Sequence, residues 1–385
     1  MQTALFIGMY PNKVSPYKNI FFKNLIYAMA DIGIDCTVIS PVPVTKYLKK
    51  TLMIPKHEIQ YSSSGAKIQV YFPRYISVSS IQIGDFNTEK ISEKMFTNAA
   101  LKIAKKLDKN FNFVYGHFFL YGGLAAILIG RKLKVPSFLA YGECDFESQV
   151  KRTYGVPKPK ELEGLNGIIS VSSKNTKELK DLGIVKEVPI ITAPNAVDLS
   201  IFAKKNKMKC RKQLGLPINN FIVGFVGGFI ERKGYKLLLE AIDSLDGVYA
   251  AFAGRGENSP FGEKVLFCKS LKHETVSIFL NAIDVFCLPT LSEGSCNAIV
   301  EAMACGCPII SSDLPFNDDV LTNQNSIRIN PTSIDEIRDA IIKLYKDADM
   351  RLKFADSSYE TSKRFSIKER ARNIVSFISS QIPCD

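Results

Sequence analysis

Two glutamates eight positions apart, Glu293 and Glu301, bracket the start of an apolar run in SEGSCNAIVEAMACGCPII, residues 292–310. The run reads as a helix with both ends marked. Asn297 is a suitable cap, residues 298–304 are mostly strong helix formers, and Gly306 with Pro308 supplies a stop. Glu293 then falls in the entry loop and Glu301 about one turn inside the helix, among Ile299, Val300, Ala302 and Met303. A buried carboxylate there must be protonated, paired with a cation, or hydrogen-bonded to something that enters from outside. A structural role, bonded to backbone amides or to a lysine, stays open on this stretch alone.

A second stretch carries complementary chemistry. FIVGFVGGFIERKGYKLLLEAI, residues 221–242, reads as a buried strand, a glycine turn and basic residues opening an amphipathic helix. Gly227 and Gly228 allow close backbone approach, and Arg232 and Lys233 sit where a helix N-terminus favours anions, so a diphosphate cradle is expected. Neither the G-x-G-x-x-G nor the Lys-Ser/Thr phosphate-loop pattern is matched. The amides of Gly294, Ser295, Cys296 and Asn297 form a second bank that would hold the same phosphate, and Glu301 would then reach a ribose diol attached to it. AGRGENSP, residues 253–260, begins like a phosphate loop, but Pro260 blocks a following helix and the stretch reads as a turn.

The elements that must position these residues alternate along the whole chain. In the first half, strands are expected near 4–7, 36–39, 113–115, 137–140, 167–171 and 189–191, with helices over 20–32, 87–108, 121–133 and 174–182. That pattern is a parallel α/β sheet. APNAVDLSIFAKKNKMK, residues 193–209, reads as a linker, after which strands are expected at 221–226, 248–253, 265–268, 284–288 and 308–311. Two Rossmann-like domains follow, 1–198 and 199–365, with a terminal helix over 366–385 that could cross back to the first. Ligands in such sheets lie beyond the carboxyl ends of the strands, and two facing domains make a deep interdomain cleft.

A chain of 385 residues, 46% hydrophobic, buries a sizeable core, and no apolar stretch reaches the length of a membrane span. The start, MQTALFIGMYP, suits a first strand better than a leader peptide, which places the protein in the cytoplasm. The nine cysteines have no framework spacing and read as reduced thiols; His57, His117 and His273 are too scattered for a zinc site. A net charge of +12 points to anionic partners. Lysines mix with apolar residues over 45–58 and recur at helical spacing over 101–110, giving either a solvated helix face or a surface that rests on anionic lipid at the inner face of the membrane.

Taken together, VGGFIERKG, the run from 281 to 310 with its glutamates separated by seven residues, and PNAVDLSIF resemble the retaining nucleotide-sugar glycosyltransferases of family 4. The likeness covers most of the chain and weakens in the first half, where the segments at 10–41 and 115–145 are similar to the family's first loop and helix and its acceptor-side segment. It implies the GT-B fold, a nucleotide-diphosphate sugar as co-substrate, no other cofactor and no metal. By that resemblance, Lys233 neutralises the leaving diphosphate, Glu301 binds the ribose and Glu293 contacts sugar hydroxyls. His117 lies between acceptor and donor sugar, Tyr10, Lys18 and Asn19 stand on the acceptor side, and residues 8–16 lie under the donor phosphate. The implied activity is sugar transfer to a hydroxyl of a glycan or lipid-linked acceptor in cell-surface polysaccharide or glycolipid synthesis, with no nucleic-acid partner. A sugar-nucleotide epimerase of the same fold and an anion-binding module for lipid or nucleic acid are the alternatives. The chain departs from the family in two places: Gly228 stands where an arginine is usual, and YGECD (141–145) replaces the common His-Gly-Ser-Asp.

Overall fold

The computed structural model describes residues 2–382 apart from 85, 158 and 184–186. The chain divides into two compact units, residues 1–194 with 367–385, and 195–366.

Unit 1 is built on an eight-stranded sheet. In chain order its strands are β1 (Thr3–Ile7), β2 (Asp35–Ile39), β3 (His57–Tyr61), β4 (Lys67–Tyr71), β5 (Phe113–His117), β6 (Ser137–Tyr141), β7 (Leu165–Ser170) and β8 (Ile190–Thr192), arranged β8-β7-β6-β5-β1-β2-β4-β3. All pairs are parallel except β3 with β4. The central strands are buried along nearly their whole length, as expected for a sheet covered on both faces. The edge strand β3 alternates between exposed and half-buried residues. It has no apolar run, which is why sequence periodicity overlooks it.

The helices α1 (Ile20–Asp31), α2 (Glu89–Ala104), α3 (Leu124–Leu133) and α4 (Ser173–Asp181) connect the strands. Two are shorter than expected. α2 ends at 104, so the lysines at 105, 106 and 109 lie beyond it. α3 starts only at Leu124, because residues 118–123 form an irregular turn in which Phe118 and Tyr121 take left-handed φ of 66° and 62°. Gly122 makes that turn feasible, since a Cβ there would collide with the carbonyl oxygen of His117. The lysine-rich 45–58 stretch is not one helix. It is a short helical turn at Val44–Tyr47, a 3-10 turn at Leu48–Met53, and then β3.

Unit 2 carries a parallel six-stranded sheet in the order β11-β10-β9-β12-β13-β14, made of β9 (Phe221–Gly228), β10 (Val248–Arg255), β11 (Val265–Lys269), β12 (Val285–Leu288), β13 (Ile309–Ser312) and β14 (Ser326–Ile329). Its helices include α5 (Tyr235–Asp243), α6 (His273–Leu280), α7 (Asn297–Ala304), α8 (Ile334–Lys346) and α9 (Ala348–Ser362). Two expectations are corrected here. The 253–255 stretch is not a turn but the last three residues of β10, where Arg255 pairs in register with Gly228. The expected linker does not stay irregular to 209: a helix begins at Lys207, capped by the Asn206 side chain.

The last helix, α10 (Ile367–Gln381), belongs to unit 1. Its Ala371, Ile374 and Ile378 are fully buried in the same core as Phe22, Leu25 and Met29 of α1. Arg370 donates to the Ala193 carbonyl.

Candidate active site

In unit 2 the loops after β9 and β12 meet because these strands are neighbours in the sheet. Strand order reverses around β9, and the crevice beyond such a switch point is where α/β sheets hold ligands. After β9 the chain runs through Gly227, Gly228 and a 3-10 turn at Glu231–Lys233 to Gly234, then into α5. Gly234 has a φ of 69°, and a Cβ on it would press into the carbonyl of Pro289 just past β12. Only glycine lets the two loops close this far. Two hydrogen bonds hold them together, Leu291 N–H to the Arg232 carbonyl at 2.8 Å and the Thr290 hydroxyl to the same carbonyl at 3.2 Å.

One carboxylate oxygen organises the cations. Glu293 Oε1 accepts from Lys233 Nζ, from Arg232 Nη1 at 3.1 Å and from the Thr290 hydroxyl at 3.1 Å, and Arg232 also donates to the Ser292 carbonyl. Glu293 and Lys233 are both largely buried. Burial opposes the charge on Lys233, but Cys296 where it is ionised, and the Glu293 carboxylate with its hydrogen bond, outweigh it and hold its pKa above the ordinary lysine value; at physiological pH the anion beside it is Glu293. Cys296 is itself pushed up to about 11 by burial, so it is a neutral thiol at physiological pH. Glu293 therefore meets ammonium and guanidinium groups here, whereas the resemblance assigned it sugar hydroxyls.

The helix that follows starts one residue earlier than its sequence suggests. Cys296 precedes it, and Asn297 is its first residue, so Asn297 is not the cap. The buried Asn297 Oδ1 has no hydrogen-bond partner among the described residues. Gly294 is buried in the entry loop, and Ser295 is held from a distant part of unit 2. Its hydroxyl accepts from Asn195 N–H at 3.1 Å, and its carbonyl accepts from the Asn195 amide at 3.1 Å.

Glu301 answers the question its position raises. It stands 2.9 Å from His273 Nε2, at the first turn of α6. Burial works against a charge on His273, and the Glu301 hydrogen bond and charge overcome it, raising its pKa. Sequence spacing could not reveal this pair. The two residues are 28 apart and meet only because α6 and α7 pack side by side. The missing arginine at 228 leaves room, since a Cβ there would meet only the Arg255 carbonyl, at 3.9 Å.

In unit 1, His117 ends β5 at the carboxyl edge of the sheet and is buried, its ring stacked on Phe22 with centroids 4.5 Å apart. Burial, with Arg370 adding to it, pushes its pKa down to about 3, so it is a neutral imidazole. Its Nδ1 has no partner among the described residues. Glu143, inside the divergent YGECD segment, pins the turn after His117 by accepting from the backbone N–H of Phe119, and from that of Gly142 at 2.9 Å. Sequence reading left Glu143 without a role, because the backbone it pins lies 24 residues earlier in the chain and the pair leaves no periodic signal.

The three first-loop residues fare differently. Asn19 donates to the Met9 carbonyl at 2.9 Å and precedes α1. Tyr10 is buried, its hydroxyl bound to Gln60 at 2.9 Å, and it lines the same cavity as Lys18. Lys18 lines a cavity with Lys46.

Residues 206–361 match the family described as Glycosyl transferases group 1. Unit 2 is a group 1 glycosyltransferase domain. Over 377 residues, 94% of this chain and 93% of the relative, the enzyme is 27% identical to TuaC of Bacillus subtilis (strain 168), named for teichuronic acid biosynthesis. It is 22% identical over 315 residues, 73% and 71% of the two chains, to a D-inositol 3-phosphate glycosyltransferase of Stackebrandtia nassauensis. Among solved structures it resembles sucrose-phosphate synthase from Thermosynechococcus elongatus at a TM-score of 0.77 and 17% identity, covering 99% of both chains. It also resembles Anabaena HepE in complex with UDP-glucose at 0.71 and 16%, covering 99% of this glycosyltransferase and 100% of that chain. The two Rossmann-like units are those of the GT-B fold.

Proposed function

We propose that the enzyme moves a sugar, with retention at its anomeric carbon, from a nucleotide-diphosphate sugar to an acceptor hydroxyl in the synthesis of a cell-surface polysaccharide. The observation that carries this reading is the convergence of Lys233, Arg232 and the Thr290 hydroxyl on the Glu293 carboxylate. An arriving diphosphate takes up cations that Glu293 holds in place, and the residues 294–297 that follow Glu293 lead directly into the N-terminus of α7, an end that favours anions. As the bond from the anomeric carbon to the phosphate oxygen breaks, the acceptor oxygen bonds to that carbon from the same face and its proton passes to the departing diphosphate. Stabilising the charge on that leaving group is the main catalytic term, and it needs no metal.

The TuaC relative supports a surface polysaccharide as the product, and the HepE complex supports a nucleotide-sugar donor. Unit 1 receives the acceptor, a glycan or a lipid-linked glycan, near His117. The protein works in the cytoplasm against an anionic membrane surface, without a nucleic-acid partner.

Glu301 tests the donor site. Glu301→Gln weakens nucleotide binding by about 1.5–3 kcal/mol, the worth of a hydrogen bond to a charged acceptor, and leaves the melting temperature close to the parent's. Calorimetric titration with UDP, GDP and TDP reads the first quantity and a thermal melt the second. A variant that melts far lower but binds the nucleotide normally makes Glu301 only the structural partner of His273.

A further inference from the structure

Beyond the carboxyl ends of β1 and β2, unit 1 contains a cavity of about 310 Å³. Its walls carry Lys18, Lys46 and Tyr47 together with Glu89 and Tyr121. Neither Lys18 nor Lys46 makes an ion pair or a side-chain hydrogen bond among the described residues. Burial lowers the pKa of Lys18, Tyr47 partly opposes this, and the charge of Lys46 adds a smaller lowering. Glu89 is already engaged, accepting from the Tyr121 hydroxyl.

The chain segments that line this cavity continue directly into exposed apolar side chains. Leu48, Leu52 and Met53 are 71%, 88% and 60% exposed, and Ile76, Ile81 and Ile83 are 57%, 56% and 64% exposed. The two segments leave the cavity wall together, because Val42 and Pro43 pair with Arg74 and Tyr75, and the Thr45 hydroxyl donates to the Ser77 carbonyl at 2.7 Å. Single exposed apolar residues are ordinary on a protein surface; a set gathered at one cavity, with Lys49 and Lys50 exposed among them, is not.

We propose that this cavity takes the phosphate-bearing head of a lipid acceptor, seated on Lys18 and Lys46, while the lipid chain and its bilayer lie against residues 48–53 and 76–83. This rests on the reading that unit 1 receives the acceptor, and it narrows that acceptor to a lipid phosphate. A soluble glycan would use the cavity and leave the apolar rim in water. A lipid phosphate uses both, and its charge complements the two lysines. Hydroxyls of the head have as an acceptor the Glu89 oxygen that Tyr121 does not take, Oε2.

Flotation with phosphatidylcholine vesicles carrying a minor fraction of phosphatidic acid tests this, with glucose 1-phosphate as the soluble probe and UDP, GDP and TDP binding followed in parallel. The parent chain is expected to float with the phosphatidic acid vesicles and not with pure phosphatidylcholine. Leu52→Ser/Met53→Ser lowers vesicle binding by about tenfold or more and leaves glucose 1-phosphate binding intact; Lys18→Gln/Lys46→Gln lowers both. Binding of glucose 1-phosphate without vesicle binding assigns the lysines to a soluble sugar phosphate and overturns the proposal. So does vesicle binding that survives both double variants, or self-association that the serine substitutions abolish. Nucleotide binding separates the two levels: if it persists while the vesicles fail, only the lipid acceptor falls, and if no nucleotide binds, the glycosyltransferase reading of the site falls with it.

Discussion

Lys233→Ala lowers turnover by at least ~100-fold and donor affinity by much less, because the interaction strengthens as charge develops on the departing phosphate. The position of the side chain is the reason to expect so large an effect. Lys233 is mostly buried, fixed on Glu293 by a salt bridge, and held charged despite its burial. Its ammonium is thus oriented before any donor arrives, and no reorganisation is needed when charge appears. Gly228 contributes no cation, and Arg232 is held by both Glu293 and the Ser292 carbonyl. Lys233→Arg restores turnover only in part, since a planar fork does not replace a compact point charge without rearrangement. Steady-state kinetics on both variants decide the matter. Near-normal turnover in the alanine variant means that the diphosphate is held elsewhere.

Gly234→Ala is the second large effect, and it acts through the backbone. The left-handed φ costs a non-glycine residue about 1–3 kcal/mol, and the added methyl must also drive the Pro289 carbonyl away. That carbonyl begins the loop that delivers Thr290 and Glu293, so the cation site opens. A misplacement of about 1 Å in reacting groups costs on the order of 10²-fold in rate. Gly215→Ala is the matched control: its φ is 70°, and a Cβ there meets nothing within 4 Å. It should lose stability from the same strain and keep full turnover. Equilibrium unfolding and kinetics on the pair separate strain from displacement. Equal turnover losses in both would mean that the closure at Pro289 does not set the geometry.

The sequence made the elements of the donor site legible because each is short, local and punctuated. β9, its glycines, the basic turn and α5 occupy one continuous stretch, and β12 leads through Glu293 into α7 in the same way. The partners of those residues were not legible. His273 reaches Glu301, and Asn195 reaches Ser295 across 100 positions of chain; polar pairs of that kind leave no periodic trace. In unit 1 the reading failed for different reasons. β3 is a half-exposed edge strand, and the 118–123 turn takes backbone angles that the apolar run FFLYGGLAAILIG hides inside an apparent helix. The packing of the Tyr10 ring against Phe22 also left no trace in the first loop's sequence.

The place of α10 bears on how the chain becomes a protein as it is made. Unit 2 is one uninterrupted segment and has all its residues once position 366 has emerged. Unit 1 does not, because three of its core side chains, Ala371, Ile374 and Ile378, come last. For most of synthesis, then, the α1 face that these residues cover has no partner, and the first domain begun is the last one finished. A nascent chain stopped short of α10 would carry a complete donor-binding domain beside an unfinished one, with an apolar surface left open for chaperones to cover.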